Sequence, residues 1–351
     1  TGALPAWPRR LALLAPQGTA MPLEGGDWPL PEESRDGWWP GLPYVLQDMR
    51  PQGYMGRQFA RAVHDALQLP ADPRAWSDDD VLVALAQAGW DLPGDLIVGE
   101  AAMRRWQAQR LDAPAPLAEG ALAQAYTILA GQAVAGGAAG SSAAGEFPKF
   151  AALREAPEPG APGPGGLPRT PHVLVKFSGA GGTPAERRWA DLLLAEHLAL
   201  QALAGHGVPA ARSRWLTAGG RAFLEVERFD RHGRWGRSPL VSLEAVNAAL
   251  LGLPHRPWPE LAAALESAGV LAGGAQAGIA TLWWFGHLIG NTDMHLGNLS
   301  LQPRSGQLAP APAYDMLPMR HAPLAGGEVP PLLAQQPPLP LPGERAPWQA
   351  A

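Results

Sequence analysis

The chain has 351 residues, a net charge of −5 and no cysteine. The missing cysteine excludes disulfides, thiol catalysis and cysteine-based zinc sites and fits a cytoplasmic protein, while the charge gives no basic footprint for nucleic acid. Apolar residues make up 46% of the chain, a globular composition with enough core for two lobes. No apolar run approaches the ~20 residues of a membrane helix, and no leader segment is visible.

Residues 1–30 are rich in Pro and Gly, with a short strand expected over Leu11–Leu14. The Trp-, Pro- and Gly-dense stretch from Pro29 to Arg57 suits irregular, well-packed structure. A helix is expected from about Tyr54 to Leu69. Ser77 reads as the N-cap of the next helix, with Asp78, Asp79 and Asp80 complementing its positive end; capping is preferred there to a metal site. A turn over residues 91–95 leads into a strand at Leu96–Val98. Residues 1–115 thus form a small α/β subdomain with no evident chemistry.

A helix over residues 117–134 precedes the Gly/Ala/Ser-rich segment 135–150, which holds Ser141, Ser142, Gly145 and Lys149. Successive amides in such a loop can bind phosphate oxygens, and the same composition also makes a plain linker. Of 27 Lys and Arg residues only Lys149 and Lys176 are lysines. Lys176 lies in the strand His172–Phe177, where a kinase places the lysine that meets the α/β-phosphates; a strand-edge lysine with its head in water is the alternative. A buried Lys176 would need an anionic partner. The following helix, begun by Pro184 and running from Ala185 to about Ala204, offers Glu186, Asp191 and Glu196. Strands over 212–216 and 221–229 flank Gly219-Gly220. The second ends at Glu227, Phe229 and Asp230, which is either a lobe-crossing segment that meets adenine or an ordinary solvated strand end.

Helices are expected over 243–251, 259–268 and 277–289, the last apolar nearly all round and therefore buried. It delivers Gly290-Asn291-Thr292-Asp293-Met294-His295-Leu296-Gly297-Asn298, followed after a strand by Tyr314-Asp315. Phosphoryl transfer to a hydroxyl needs such a set. Asp293 can orient and deprotonate the attacking hydroxyl, and Asn298 and Asp315 can hold Mg²⁺ on the β- and γ-phosphates of ATP. The Asp-x-x-x-x-Asn spacing equals that of the protein-kinase catalytic loop, although alone it is a weak signal. His295 is expected to orient the loop through hydrogen bonds, and His287 to be a packed helix residue. From about Pro323 the chain reads as a partly ordered, Pro-rich tail.

Taken together, Ser142 to Lys149, Val175-Lys176, residues 227–231, Gly290 to Asn298 and Tyr314-Asp315 resemble the HipA family of bacterial serine/threonine kinases, toxins of HipBA-type toxin–antitoxin pairs. The region from Pro40 to Arg57 is similar to the solitary HipA-like branch. The resemblance implies a two-lobed α/β (α+β) protein-kinase-like fold. It divides into an N-terminal subdomain (1–115) packed on the nucleotide-binding lobe (116–235), a helical catalytic lobe (236–325) and the tail (326–351). It further implies Asp293 as catalytic base, Asn298 and Asp315 as Mg²⁺ ligands, Lys176 on the ATP phosphates, and Glu227 to Asp230 around adenine and ribose. Ser142, or equally Ser141, falls where the family autophosphorylates a loop serine and switches itself off. A protein substrate from translation, such as an aminoacyl-tRNA synthetase, and a HipB-like antitoxin are the implied partners. A non-catalytic nucleotide-binding regulator and a small-molecule kinase are the alternatives. Three features depart from the family pattern: Gly297 replaces a common Lys, Phe147-Pro148 replaces more polar residues, and the family implies a longer helical region after Asp315.

Overall fold

The computed structural model describes the backbone of residues 12–14 and 20–22, and residues 41–112, 115–135, 147–155, 169–304, 306–333 and 336–351 with their side chains. The chain opens with antiparallel strands β1 (Ala12–Leu14) and β2 (Ala20–Pro22), and β3 (Leu96–Ile97) joins β1 on its other edge. Between these strands run helices α1 (Tyr44–Gln47), α2 (Gly53–Leu67) and α3 (Asp78–Ala88), with α4 (Glu100–Leu111) after β3. In α2 the buried Tyr54, Gly56, Ala60 and Val63 recur at helical spacing and define one apolar face. The acidic start of α3 is a capping box: Ser77 Oγ accepts the Asp80 amide at 3.2 Å and Asp80 Oδ2 accepts the Ser77 amide at 2.9 Å. Asp78 instead pairs with Arg50 and accepts the Leu42 amide.

Helix α5 (Leu122–Ala135) and strands β4 (Lys149–Leu153) and β5 (His172–Phe177) begin the second unit. Helix α6 (Pro184–Gly205) and strands β6 (Ser213–Ala218) and β7 (Arg221–Glu227) complete it. The four strands form an antiparallel sheet in the order β4-β5-β7-β6. Alternation along β5 decides where the chemistry goes. Val173, Val175 and Phe177 enter a core with Leu122, Tyr126 and Ala130 of α5, so Lys176 points to the opposite face, which α6 covers. Gly219 and Gly220 join β6 to β7 with φ of +54° and +73°, the pair of positive values a tight two-residue hairpin turn requires.

Past β7 come a small hairpin, β8 (Arg231–His232) and β9 (Gly236–Arg237), and strand β10 (Val241–Ser242). Helix α7 (Leu243–Val246) runs into a π-helical turn over Asn247–Leu251, so the single helix expected over 243–251 is α and then π. Helices α8 (Trp258–Ser267) and α9 (Ala275–Ile289) follow, and α9 is buried or half-buried along most of its length, as its composition demands. Between the Asp293 loop and Asp315 lies a hairpin rather than one strand. It is formed by β11 (Ser300–Arg304) and β12 (Gln307–Pro310), with β10 paired to β11.

Two expectations need correction. The N-terminal subdomain shares its core mainly with the helical lobe: Leu46, Val81 and Leu85 belong to one apolar cluster with Leu243, Trp258, Leu265 and Leu301. It also touches the sheet lobe, where Tyr54 Oη donates to the Ala133 carbonyl at 3.3 Å. Periodicity marks an apolar face but not the face it meets. The Pro-rich tail, for its part, ends in α10 (Arg345–Ala350), packed against α9. Among the described residues no helix is long and apolar enough to cross a membrane.

Candidate active site

Lys176 Nζ donates to both carboxylate oxygens of Glu196, at 2.7 and 2.8 Å, and contacts Asp315 Oδ1. Of the three acids considered on α6, Glu186 is committed to the N-terminal capping box with Thr183, and Asp191 is exposed. Glu196 alone lies on the buried face, beside Leu192, Leu193, Ala199 and Leu200. It keeps 1% of its side chain exposed, whereas Asp315 keeps 29%, so Asp315 is the more open of the two carboxylates. Burial works against the Lys176 ammonium, but Asp315 and Glu196 outweigh it and hold its pKa above the ordinary lysine value. Burial dominates at Glu196 and raises its pKa despite Lys176. At Asp315 the charges of Lys176 and Lys149 outweigh burial and lower it. Lys149 stands opposite Lys176 across β4 and β5 and so belongs to the same face. The structure therefore gathers the chain's two lysines around two acids.

Asp315 has φ of +52°, a left-handed conformation that costs a non-glycine residue roughly 1–3 kcal/mol. Asn291 compensates by donating its Nδ2 hydrogen to the Asp315 carbonyl at 3.1 Å. The same Asn291 accepts the Asp293 amide on Oδ1 at 3.0 Å, and Asn298 Nδ2 donates to the Asp293 carbonyl at 2.8 Å. The backbone of Asp293 is thus held from both sides. Its side chain is exposed, with no hydrogen bond to its carboxylate among the described residues. With Nδ2 engaged, Asn298 keeps Oδ1 for a cation. His295 Nδ1 accepts the Gly297 amide at 3.1 Å, and its carbonyl accepts Trp258 Nε1–H at 3.2 Å. A Cβ on residue 297 would meet the His295 ring at 2.9 Å, so glycine here leaves the room that ring occupies. Phe147 likewise packs edge-on against Trp189 of α6 at 4.7 Å, so its apolar character anchors the end of the Gly-rich segment.

The segment after β7 departs from expectation. The Glu227 carboxylate binds Arg154 at 3.0 Å and also Arg169. The Asp230 carboxylate binds Arg228 at 3.0 and 3.1 Å, Arg231 at 2.7 Å and the Gly94 amide at 2.9 Å. Both acids are engaged with protein partners, so a nucleotide contact by this segment would fall to its backbone and to Phe229. The Phe229 ring stacks at a tilt on Tyr314, centroids 5.8 Å apart. Tyr314 is a site residue the sequence reading missed. Its hydroxyl donates to the Gly297 carbonyl at 2.8 Å and lies 2.8 Å from Ser300 Oγ, tying the Asp293 loop to Asp315. Its place immediately before Asp315 was the available signal. Ser141, Ser142 and Gly145 lie outside the described residues.

Among the described residues no cluster of three or more His, Asp and Glu side chains could hold a metal by itself. An open cavity of about 420 Å³ lies at the N-terminal end of α6, lined by Glu186, Arg187, Trp215, Thr217 and Arg221 among others; Lys176, Glu196, Asp293, Asn298 and Asp315 do not line it.

Comparison with known proteins gives two family matches: "YjjJ-like toxin, middle domain" over residues 6–107 and "HipA-like C-terminal domain" over residues 141–336, more than half the chain. Toxin YjjJ of Escherichia coli K12 is 38% identical over 318 residues, which covers 90% of this chain and 67% of that toxin. Among solved structures, Shewanella oneidensis MR-1 HipA, in complex with HipB and operator DNA, aligns at 14% identity and a TM-score of 0.47. The alignment covers 80% of this chain and 66% of HipA. Helicobacter pylori proinflammatory kinase CtkA aligns at 16% identity and a TM-score of 0.32, covering 43% of this chain and 53% of that kinase. The chain thus spans about two-thirds of the toxin and slightly less of HipA. With one family pattern over most of its second half and a toxin 38% identical along nine-tenths of its length, the chain belongs to the HipA-like toxin family.

Proposed function

We propose that the chain is a kinase that transfers the γ-phosphate of ATP to the hydroxyl of a protein serine or threonine. The observation that carries this reading is the Lys176–Glu196–Asp315 triad, set at the junction of the sheet lobe and the Asp293–Asn298 loop. Glu196 fixes the ammonium of Lys176, which then meets the ATP phosphates as a preorganised point charge. Lys149, on the same face, adds a second positive charge for the phosphates. Asp293 accepts the proton of the attacking hydroxyl from a backbone held at both its amide and its carbonyl. Asn298 Oδ1 and Asp315 are the groups that would hold Mg²⁺, which when bound neutralises charge on the β- and γ-phosphates. Autophosphorylation of Ser142 or Ser141, a HipB-like antitoxin, a substrate drawn from the translation machinery and a cytoplasmic site of action complete the proposal.

Intact mass after incubation with Mg·ATP, run beside Asp293→Ala, tests it. The expected result is one added phosphate in the parent, on Ser142 or Ser141, and none in the variant. No gain with ATP still bound would favour a non-catalytic regulator; no ATP binding would overturn the reading. A second expectation concerns Tyr314. Burial raises the pKa of its hydroxyl, which therefore stays a donor at neutral pH. Tyr314→Phe leaves the Gly297 carbonyl and Ser300 Oγ each short of a partner. It should slow phosphate gain about tenfold and lower stability by about 1–3 kcal/mol. Matched time courses and melting curves check both; an unchanged rate would remove Tyr314 from the site.

A further inference from the structure

The N-terminal region has no evident chemistry of its own, yet its loop Trp90–Asp95 is bonded closely to the segment that leaves β7. Asp91 Oδ1 accepts from Arg228 Nη1 at 3.1 Å and from Arg231 Nη2 at 2.9 Å, and lies 3.7 Å from Arg237 Nη2. The Leu92 carbonyl accepts from Arg231 at 2.7 Å, the Gly94 carbonyl from Arg231 at 2.8 Å and the Trp90 carbonyl from Arg237 at 2.5 Å. The Gly94 amide returns a bond to Asp230. Arg228, Arg231 and Arg237 are all buried. Three guanidinium groups on one short segment repel each other in a poorly solvated space, and a guanidinium does not shed its proton to relieve this. Asp230, inside the segment, pairs with Arg228 and Arg231. The one ion-pair partner of Arg237 among the described residues is Asp91, which lies in the N-terminal region.

We infer that Asp91 is a positioning residue for the nucleotide: from outside the kinase lobes it neutralises and fixes segment 228–237, and so sets the backbone that adenine meets. The inference rests on the kinase reading above and gives the N-terminal domain a part in it. Asp293 and Asp315 are held by Asn291, and Asn298 by its own bond to the Asp293 carbonyl, none of which involves Asp91. Loss of the Asp91 charge should therefore weaken ATP binding and spare the chemical step.

Steady-state phosphorylation by the full chain tests this, with Asp91→Asn as the main variant, because asparagine keeps an oxygen acceptor and loses only the charge. The expected result is a KM for ATP about tenfold higher with kcat within about twofold, and recovery of most of the affinity in Asp91→Glu. An unchanged KM, or a fall in kcat at constant KM, would overturn the inference. If Asp91→Asn folds too poorly for kinetics, hydrogen exchange decides. Faster exchange over 228–237 than over α9 supports the clamp, and uniform loss of protection makes Asp91 a general stability residue. A parent chain that neither binds ATP nor gains phosphate overturns the kinase reading itself. Faster exchange at 228–237 in Asp91→Asn would still show the clamp and leave only its nucleotide role refuted.

Discussion

Lys176→Met should reduce phosphate transfer roughly 10²–10³-fold, the scale on which one preorganised electrostatic contact to a developing charge acts. It should also destabilise the fold by about 3–5 kcal/mol, because removing one partner of a buried ion pair leaves the other charge uncompensated. The uncompensated charge is mainly Glu196, which has 1% of its side chain exposed. Its pKa is already raised by burial in the parent and rises further without the ammonium. The sign follows from linkage. An acid that binds its proton more tightly in the folded than in the unfolded chain costs stability once pH exceeds its unfolded value, near about 4.3 for Glu. The variant should therefore be least stable at the alkaline end of a series from pH 5 to 8. Lys176 itself adds no slope there, since its raised pKa lies far above that window. A double variant, Lys176→Met with Glu196→Leu, separates the two roles: an apolar pair restores much of the stability and none of the activity. Denaturation midpoints across pH, read beside intact-mass time courses, measure both. Undiminished phosphate gain in the single variant would show that Lys176 does not meet ATP.

The sequence reading reached this triad only in part, and the missing piece was local. Thr183-x-x-Glu186 spells a capping box, and the run Trp189, Leu192, Leu193, Glu196, Ala199, Leu200, Leu203 puts Glu196 on an apolar stripe at helical spacing. Those two patterns together single out Glu196 among the three candidates. The strand carrying Lys176, the Gly219-Gly220 hairpin, the Ser77 cap and helix α9 were legible for the same reason: each is set by alternation, turn chemistry or periodicity within a few residues. Glu227 and Asp230 were different. Glu227 looked available because its partners lie far off in sequence, Arg154 by 73 residues and Arg169 by 58. Asp230 is paired with Arg228 and Arg231 beside it, but the fold that turns these side chains inward depends on the Gly94 loop, 136 residues away. Likewise, the apolar face of α2 and α3 announced burial without naming the helical lobe as its partner. The β11–β12 hairpin escaped because its strands are five and four residues long and the first contains Pro303. Nothing in a single chain's pattern fixes contacts of that range.

Asp95→Asn should stabilise the protein at pH 8 and leave it nearly unchanged at pH 5. Asp95 is 3% exposed, one carboxylate oxygen has no donor among the described residues, and burial together with Asp230 pushes its pKa up to about 7 against the attraction of Arg231 and Arg237. Between about pH 4 and 7 the folded chain keeps this proton while the unfolded chain releases it. The folded state then binds more protons, so stability falls as pH rises through that window, and the loss is complete above the folded value. The full span corresponds to on the order of 4 kcal/mol at 1.36 kcal/mol per pKa unit. Asparagine imitates the neutral acid but adds an amide that needs an acceptor, so a gain on the order of 2 kcal/mol at pH 8 is expected. The same loop bears Asp91, which Arg228, Arg231 and Arg237 hold well below the usual carboxylate range despite its burial. Two aspartates four residues apart are thus driven in opposite directions: Asp91 faces three guanidinium groups directly, while Asp95 sits behind them with one oxygen unsatisfied. Denaturation midpoints of parent and variant at pH 5 and pH 8 decide the matter. Parallel slopes would place the Asp95 carboxylate in contact with water or a cation and remove it as a source of pH dependence.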